Sequence, residues 1–138
     1  MSIQENIVDN EESKVEAQEI VNFAEQFLGY DYVYGGTSPE NGFDCSGYTY
    51  YVYNNNGVEI ARDLVSQASI GSEVSEDEIE IGDLIIFQDN SMSGIGHSGI
   101  YIGNGEFIHA ANPSRGVVTD SINNSYYNPR IVTIRRVV

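Results

Sequence analysis

From Ser13 onward apolar residues return at three- and four-residue steps: Val15, Ile20, Val21, Ala24, Phe27 and Leu28 form one stripe. That interval marks an amphipathic helix, and Gly29 is placed to end it. Met1 to Glu12 is polar and acidic with no such period, and is expected to be a disordered lead-in or linker, with residues 13–138 as a single domain. Tyr30 to Phe43 is punctuated by Gly35, Gly36, Pro39 and Gly42, as a loop is. A second helix is expected from Cys45 to about Tyr53, with Tyr48, Tyr51 and Val52 toward a core, stopped by Asn54-Asn55-Asn56-Gly57. A short helix is expected around Leu64–Ser69, then an acidic surface connection from Glu73 to Glu80. After Gly82-Asp83 the period shifts toward two. Leu84–Gln88, His97–Ile102, Phe107–Ala111, Val117–Asp120 and Ile131–Val137 are the predicted strands. Helices first and strands afterwards predict an α+β domain: N-terminal helices packed on a five- to six-stranded, mainly antiparallel sheet.

The turn at Gly103-Asn104-Gly105 makes the register of one strand pair testable on paper. A two-residue turn at Asn104-Gly105 pairs residues whose numbers sum to 209, which puts His97 and His109 on opposite faces. A three-residue turn, with Gly105 left-handed in a bulge, pairs residues summing to 208. Ile100 then faces Ile108, Tyr101 faces Phe107, and Gly99 leaves space beside His109. The second register matches apolar with apolar and aromatic with aromatic, and it brings both histidines to one face on a diagonal. It is the register expected here.

Charge narrows the field of partners. The formal net charge is −15 over 138 residues, which repels nucleic acid and anionic lipid at modest salt. No stretch approaches the ~20 apolar residues of a membrane span. Met1-Ser-Ile-Gln-Glu-Asn lacks the basic and apolar regions of a secretory signal, so the chain is expected either to stay where it is made or to be the domain of an exported protein. A monomer is expected.

Cys45 is the one cysteine, and His97 and His109 are the two histidines. A lone thiol makes no internal disulfide, so Cys45 is either a buried structural residue beside incidental histidines or a nucleophile. Its context, Asn-Gly-Phe-Asp-Cys-Ser-Gly-Tyr, puts the sulfur in the first turn of a helix, where free N–H groups and the helix dipole stabilise a thiolate. By role, Cys45 is the nucleophile, His97 the base, and His109 the group that fixes the tautomer and orientation of His97. A thiolate–imidazolium pair formed before substrate arrives is expected, and the Cys45 backbone N–H with one upstream donor makes an oxyanion hole. Zinc is the rival chemistry for these atoms. The gaps of 52 and 12 residues are unlike the close ligand pairs of zinc sites, so neither a metal nor another cofactor is expected.

Tyr32-Val-Tyr-Gly-Gly-Thr, Phe43-Asp-Cys-Ser-Gly-Tyr, Gly82-Asp-Leu-Ile-Ile-Phe, Gly96-His-Ser-Gly-Ile-Tyr-Ile-Gly and Phe107-Ile-His-Ala resemble, in order and spacing, the successive motifs of the NlpC/p60 family of bacterial cell-wall cysteine peptidases. The resemblance implies a papain-like α+β fold and cleavage of peptidoglycan stem peptides, most often at the bond between D-γ-glutamate and a diamino acid. It implies action at the cell wall, as part of an exported protein. Cys45, His97 and His109 take the catalytic places. Tyr32 matches a tyrosine that can donate to the oxyanion, and Asp44 and Ser46 match residues that hold the substrate's amino end. Arg62 and Gln67 loosely match an Arg-Thr-Ser-x-x-Gln stretch. Ser98 departs from the pattern, which usually has an aliphatic residue there. An amidase or acyltransferase on the same scaffold, or a non-catalytic binding domain that retains the fold, are the alternatives.

Overall fold

The computed structural model describes residues 16–138. The acidic lead-in expected over 1–12, and the first residues of the expected N-terminal helix, lie outside the described residues. Helix α1 runs through 16–25 and buries Ala17, Ile20, Val21 and Ala24. It gives way to a turn over 26–29, earlier than Gly29 suggests, so Phe27 still packs inward while Leu28 is exposed. Strands β1 (Thr37–Ser38) and β2 (Gly42–Phe43) form a small hairpin. Helix α2 (Cys45–Asn54) follows directly, and α3 (Leu64–Gln67) is a single turn.

The main sheet has six strands: β3 (Ser72–Val74), β4 (Leu84–Gln88), β5 (Ile95–Gly103), β6 (Glu106–Ala110), β7 (Val117–Ser121) and β8 (Ile131–Arg136). Their order is β3-β8-β4-β5-β6-β7, and every pairing in it is antiparallel. β3 corrects the sequence reading. Its Ser72 and Glu73 are exposed and only Val74 is partly buried, so it carries no apolar alternation, and it is a strand because the edge of β8 supplies partners from Ile134 to Arg136.

The sheet is covered on both faces, which explains the unbroken Leu84-Ile85-Ile86-Phe87 run of a central strand. Leu84 and Ile86 join Ile20, Ala24, Tyr48 and Val52 in the core beneath the helices. Ile85 and Phe87 point the other way, to Phe107, Ile122 and Ile134. The phenols that enter the first core are satisfied: Tyr48 donates to the Ala24 carbonyl and Tyr53 to the Gly82 carbonyl, each at 2.7 Å.

The β5–β6 register is the one expected: Ile100 pairs with Ile108 and Tyr101 with Phe107. The device that sets it differs. Gly103 pairs with Glu106 across a two-residue turn, and Asn104 and Gly105 both have positive φ (55° and 77°), as a type I′ turn requires. The register then shifts between Tyr101 and Gly103, so the bulge sits in the strand rather than in the turn.

Helix α2 is seated against the loop before it at Gly47, where a Cβ would lie 2.0 Å from the Gly36 carbonyl oxygen and 2.7 Å from an Asp44 carboxylate oxygen. The Gly36 carbonyl accepts from the Asp44 N–H at 3.0 Å, so this backbone cannot retreat cheaply. Gly47→Ala is therefore expected to lower stability by about 1–3 kcal/mol, the usual cost of overpacking, measured as a fall in the urea midpoint.

Candidate active site

Asp44 caps α2, and Cys45 is the first helical residue. The Asp44 carboxylate accepts from the Gly47 N–H (2.7 Å), the Gly35 N–H (3.0 Å) and Arg62 Nη2 (2.9 Å). One aspartate thus caps the helix, pins the glycine loop and holds an arginine. Arg62 donates its other terminal nitrogen to Ser46 Oγ at 2.7 Å. Asp44, Ser46 and Arg62, proposed separately from sequence, form one cluster beside the thiol.

Beneath Cys45 lies a buried polar network that the sequence did not disclose. Ser98 donates to the Cys45 carbonyl at 3.3 Å and lies 3.4 Å from the Thr49 hydroxyl. Thr49 donates to Gln67 Oε1 at 2.9 Å, and Gln67 Nε2 donates to the Ser46 and Ala61 carbonyls at 3.1 and 2.8 Å. Thr49, Gln67 and Ser98 are fully buried. A hydroxyl at position 98 has a use here, tying β5 to the nucleophile's own backbone. Burying these groups is tolerable because they satisfy one another.

The histidines lie on the face of Phe87 and Phe107. His97 Nε2 is 2.7 Å from His109 Nδ1, the diagonal contact that the register predicts. Gly99, opposite His109, leaves room for it: a Cβ there would sit 2.8 Å from the Phe107 ring and 3.3 Å from His109 Cβ. Tyr127 packs against both imidazoles, with ring centroids 6.2 Å from His97 and 5.1 Å from His109. His109 is completely buried, and its Nε2 is 2.7 Å from Asp120 Oδ2. Arg115 grips both oxygens of that carboxylate, at 2.9 and 3.1 Å.

Asp120 and Arg115 are the site residues that sequence reasoning missed. Asp120 is one further diagonal step: β7 sets Val118 opposite His109, so Asp120 shares its face. The same register logic reaches it only if the β6–β7 connection is known. Residues 111–116, with Pro113 and Gly116, carry no turn signature that fixes that register.

Tyr32, Cys45, His97, Arg115, Asp120 and Tyr127 line one cavity of about 670 Å³, whose outer wall includes Asn90, Asn112, Tyr126 and Arg130. Cys45 Sγ faces the Gly96 carbonyl at 3.9 Å. Asp44, Ser46 and Arg62 do not line the cavity. Tyr32 is held by a bridge to Phe43, so the length of the Tyr32–Cys45 loop does not carry it away. Tyr34, by contrast, is 93 % exposed.

Electrostatics revises the expected ion pair. Burial pushes the Cys45 thiol up and the Asp44 carboxylate adds to this, against the backbone amides of Ser46, Ser98 and Cys45 itself. The helix end is present, but its cap is a carboxylate that opposes a neighbouring thiolate. Burial and the adjacent His109 hold His97 down at about 3, against the pull of Asp120. His109 is also lowered, by burial, despite its bond to Asp120. Burial would raise Asp120, but hydrogen bonds from His109 and Arg115 outweigh it and bring the group to about 2. Burial thus works against the thiolate and against both imidazolium forms, in front of an ionised carboxylate.

Two outcomes follow from these charges. Cys45 is expected to react with iodoacetamide more slowly than a free cysteine throughout pH 6–9, because less thiolate is present. Unfolded His97 takes a proton near pH 6.5 and folded His97 only near 3. The stabilising contribution is therefore complete above about 6.5 and lost as pH falls toward 3, where the unfolded chain binds the extra proton. Wild type is expected to lose stability relative to His97→Gln as pH is lowered from 7 to 4, read as the difference in Tm.

The sequence model of the NlpC/P60 family matches residues 29–136. The chain is 36 % identical over 118 residues to a gamma-DL-glutamyl hydrolase of Bacillus subtilis strain 168, a match covering 85 % of this chain and 28 % of the relative. It is 32 % identical over 134 residues to a gamma-D-glutamyl-L-lysine dipeptidyl-peptidase of the same organism, covering 96 % and 45 %. The chain thus spans less than half the length of these two relatives. The crystal structure of the NlpC/p60 domain of the peptidoglycan hydrolase SagA superposes with a TM-score of 0.75 at 33 % identity, over 87 % of this chain and 97 % of that one. A family pattern running from the turn after α1 to the last residue of β8, carried on the same fold, settles the assignment: the chain belongs to the NlpC/P60 family.

Proposed function

We propose that this domain is a peptidoglycan endopeptidase acting at the cell wall, which cuts stem peptides at the bond between D-γ-glutamate and a diamino acid with Cys45 as nucleophile. The observation that carries the proposal is the thiol at the head of α2, opening on the same cavity as His97, whose Nε2 is bonded to His109. That bond leaves Nδ1 as the nitrogen of His97 free to act as base. Membership of the NlpC/P60 family and the gamma-glutamyl substrates in the names of the two relatives support the choice of bond.

Because burial and Asp44 work against a thiolate and burial works against an imidazolium, the thiol is deprotonated during attack rather than before it. Sulfur bonds to the carbonyl carbon as His97 takes the proton, and the developing oxyanion meets the Cys45 N–H with Tyr32 as a second donor. Each such donor is worth roughly 3 kcal/mol. His97 then returns the proton to the leaving amine as the carbon–nitrogen bond breaks. Water, deprotonated by the same imidazole, hydrolyses the thioester and restores the thiol. The Asp44–Ser46–Arg62 cluster, on the other side of Cys45, receives the amino end of the substrate. Arg62 shares Asp44 with two backbone amides, so its removal is felt in the loop as well as in binding.

The negative charge of the chain excludes a nucleic-acid substrate on electrostatic grounds. No helix among the described residues is long and apolar enough to cross a membrane.

Muropeptides incubated with the protein and resolved by mass spectrometry are expected to lose the residues beyond D-glutamate. Cys45→Ala is expected to abolish this. Equal cleavage by Cys45→Ala, or intact muropeptides with wild type, would overturn the proposal; a product mass showing hydrolysis at the muramyl–alanine bond would replace it with an amidase.

A further inference from the structure

The carboxylate behind the two histidines is not needed to define a thiol and its base, yet it is held by three bonds, one to His109 and two from Arg115. We propose that Asp120, clamped by Arg115, is a positioning residue that fixes the tautomers of both histidines, so that His97 always presents a bare Nδ1 to the thiol. The inference rests on the peptidase reading for its consequence, but its structural content does not.

The protons can be placed one by one along two short contacts. An ionised carboxylate only accepts hydrogen bonds, and Asp120 is ionised through the working pH range. The proton in its 2.7 Å contact with His109 Nε2 therefore belongs to His109. His109 is neutral and has one ring proton, so its Nδ1 carries a lone pair and must accept. The 2.7 Å contact between that Nδ1 and His97 Nε2 then takes its proton from His97. His97 is neutral as well, its one proton is spent on Nε2, and Nδ1 is left empty. Reverse the first bond and every later one reverses: His109 donates from Nδ1, and His97 carries its proton on Nδ1, where a base must have none.

Among the described residues, no other charged group competes for this role. The elements packed round the pair contribute the rings of Phe87, Phe107 and Tyr127 and the Arg115 guanidinium, which is a donor only. Arg115 holds both carboxylate oxygens, so Asp120 cannot rotate away from His109 without breaking a two-point grip. When His97 takes the thiol proton, the charge of Asp120 stabilises the imidazolium through His109, with no second proton transfer.

The test is made on resting protein labelled with ¹⁵N-histidine. Long-range proton–nitrogen correlation at pH 7 shows which ring nitrogen carries the lone pair, with or without a substrate. Both rings are expected as Nε2–H tautomers; either ring found as Nδ1–H overturns the inference, whatever the peptidase assay gives. Asp120→Ala is expected to give mixed tautomers at both histidines. Its kcat on the muropeptide is expected to fall at least ~10-fold, below the ~10⁴ that a wrong tautomer costs in a serine triad, with KM changed less than about 2-fold. An unchanged spectrum in folded Asp120→Ala overturns it. Arg115→Met, which removes the clamp and keeps the acceptor, is expected to retain the Nε2–H pattern; a switch equal to that of Asp120→Ala would assign the role to the arginine instead.

Discussion

Everything in the site hangs on the register between β5 and β6. Side chains alternate along a strand, so a slip of one residue would turn His97 or His109 to the other face and leave the base without support. The bulge between Tyr101 and Gly103 converts the pairing imposed by the Asn104-Gly105 turn into the one the site needs. The missing side chain of Gly99 then lets His109 reach its diagonal partner. The same step repeated onto β7 delivers Asp120. A chain of polar contacts is thus written into the sheet as a series of diagonals, each fixed by backbone hydrogen bonds rather than by the side chains themselves.

Cys45 comes from a different layer and is fixed by other means. Asp44 gives α2 its cap and anchors the loop that carries Gly35, while its charge works against a thiolate at the next residue. Stability at the helix start and acidity of the sulfur pull in opposite directions here, and the cap wins. In the proposed mechanism, reactivity then comes from His97 and the oxyanion donors rather than from a pre-ionised sulfur. The buried Ser98–Thr49–Gln67 network completes the arrangement, locking the first turn of α2 to the strand that bears His97.

Much of this was legible in the chain. The helix at Cys45, the central strands and the convergence of the histidines follow from periodicity, capping chemistry and the apolar and aromatic matching of the β5–β6 pair, although its turn has two residues rather than three. What was hidden has physical reasons. β3 has no apolar alternation of its own and is a strand because β8 offers it an edge. Asp120 lies beyond a connection of residues 111–116 that does not declare its register. The shifts of Cys45 and His97 away from their charged forms come first from burial, which sequence position alone does not report. Ser98, a departure from the family's usual aliphatic residue, proved to be a hydrogen-bond donor.

The outer wall of the cavity is drawn from connections between strands, at Asn90, Asn112, Tyr126 and Arg130, while the thiol and imidazoles stand on regular elements. Evolution can remodel such a rim for new cargo without disturbing the reactive groups. Arg115 is the exception, since it faces the cavity and also grips Asp120. An anionic guest drawn to that guanidinium would loosen the carboxylate behind the base, so the trade between selectivity and turnover is concentrated in a single side chain.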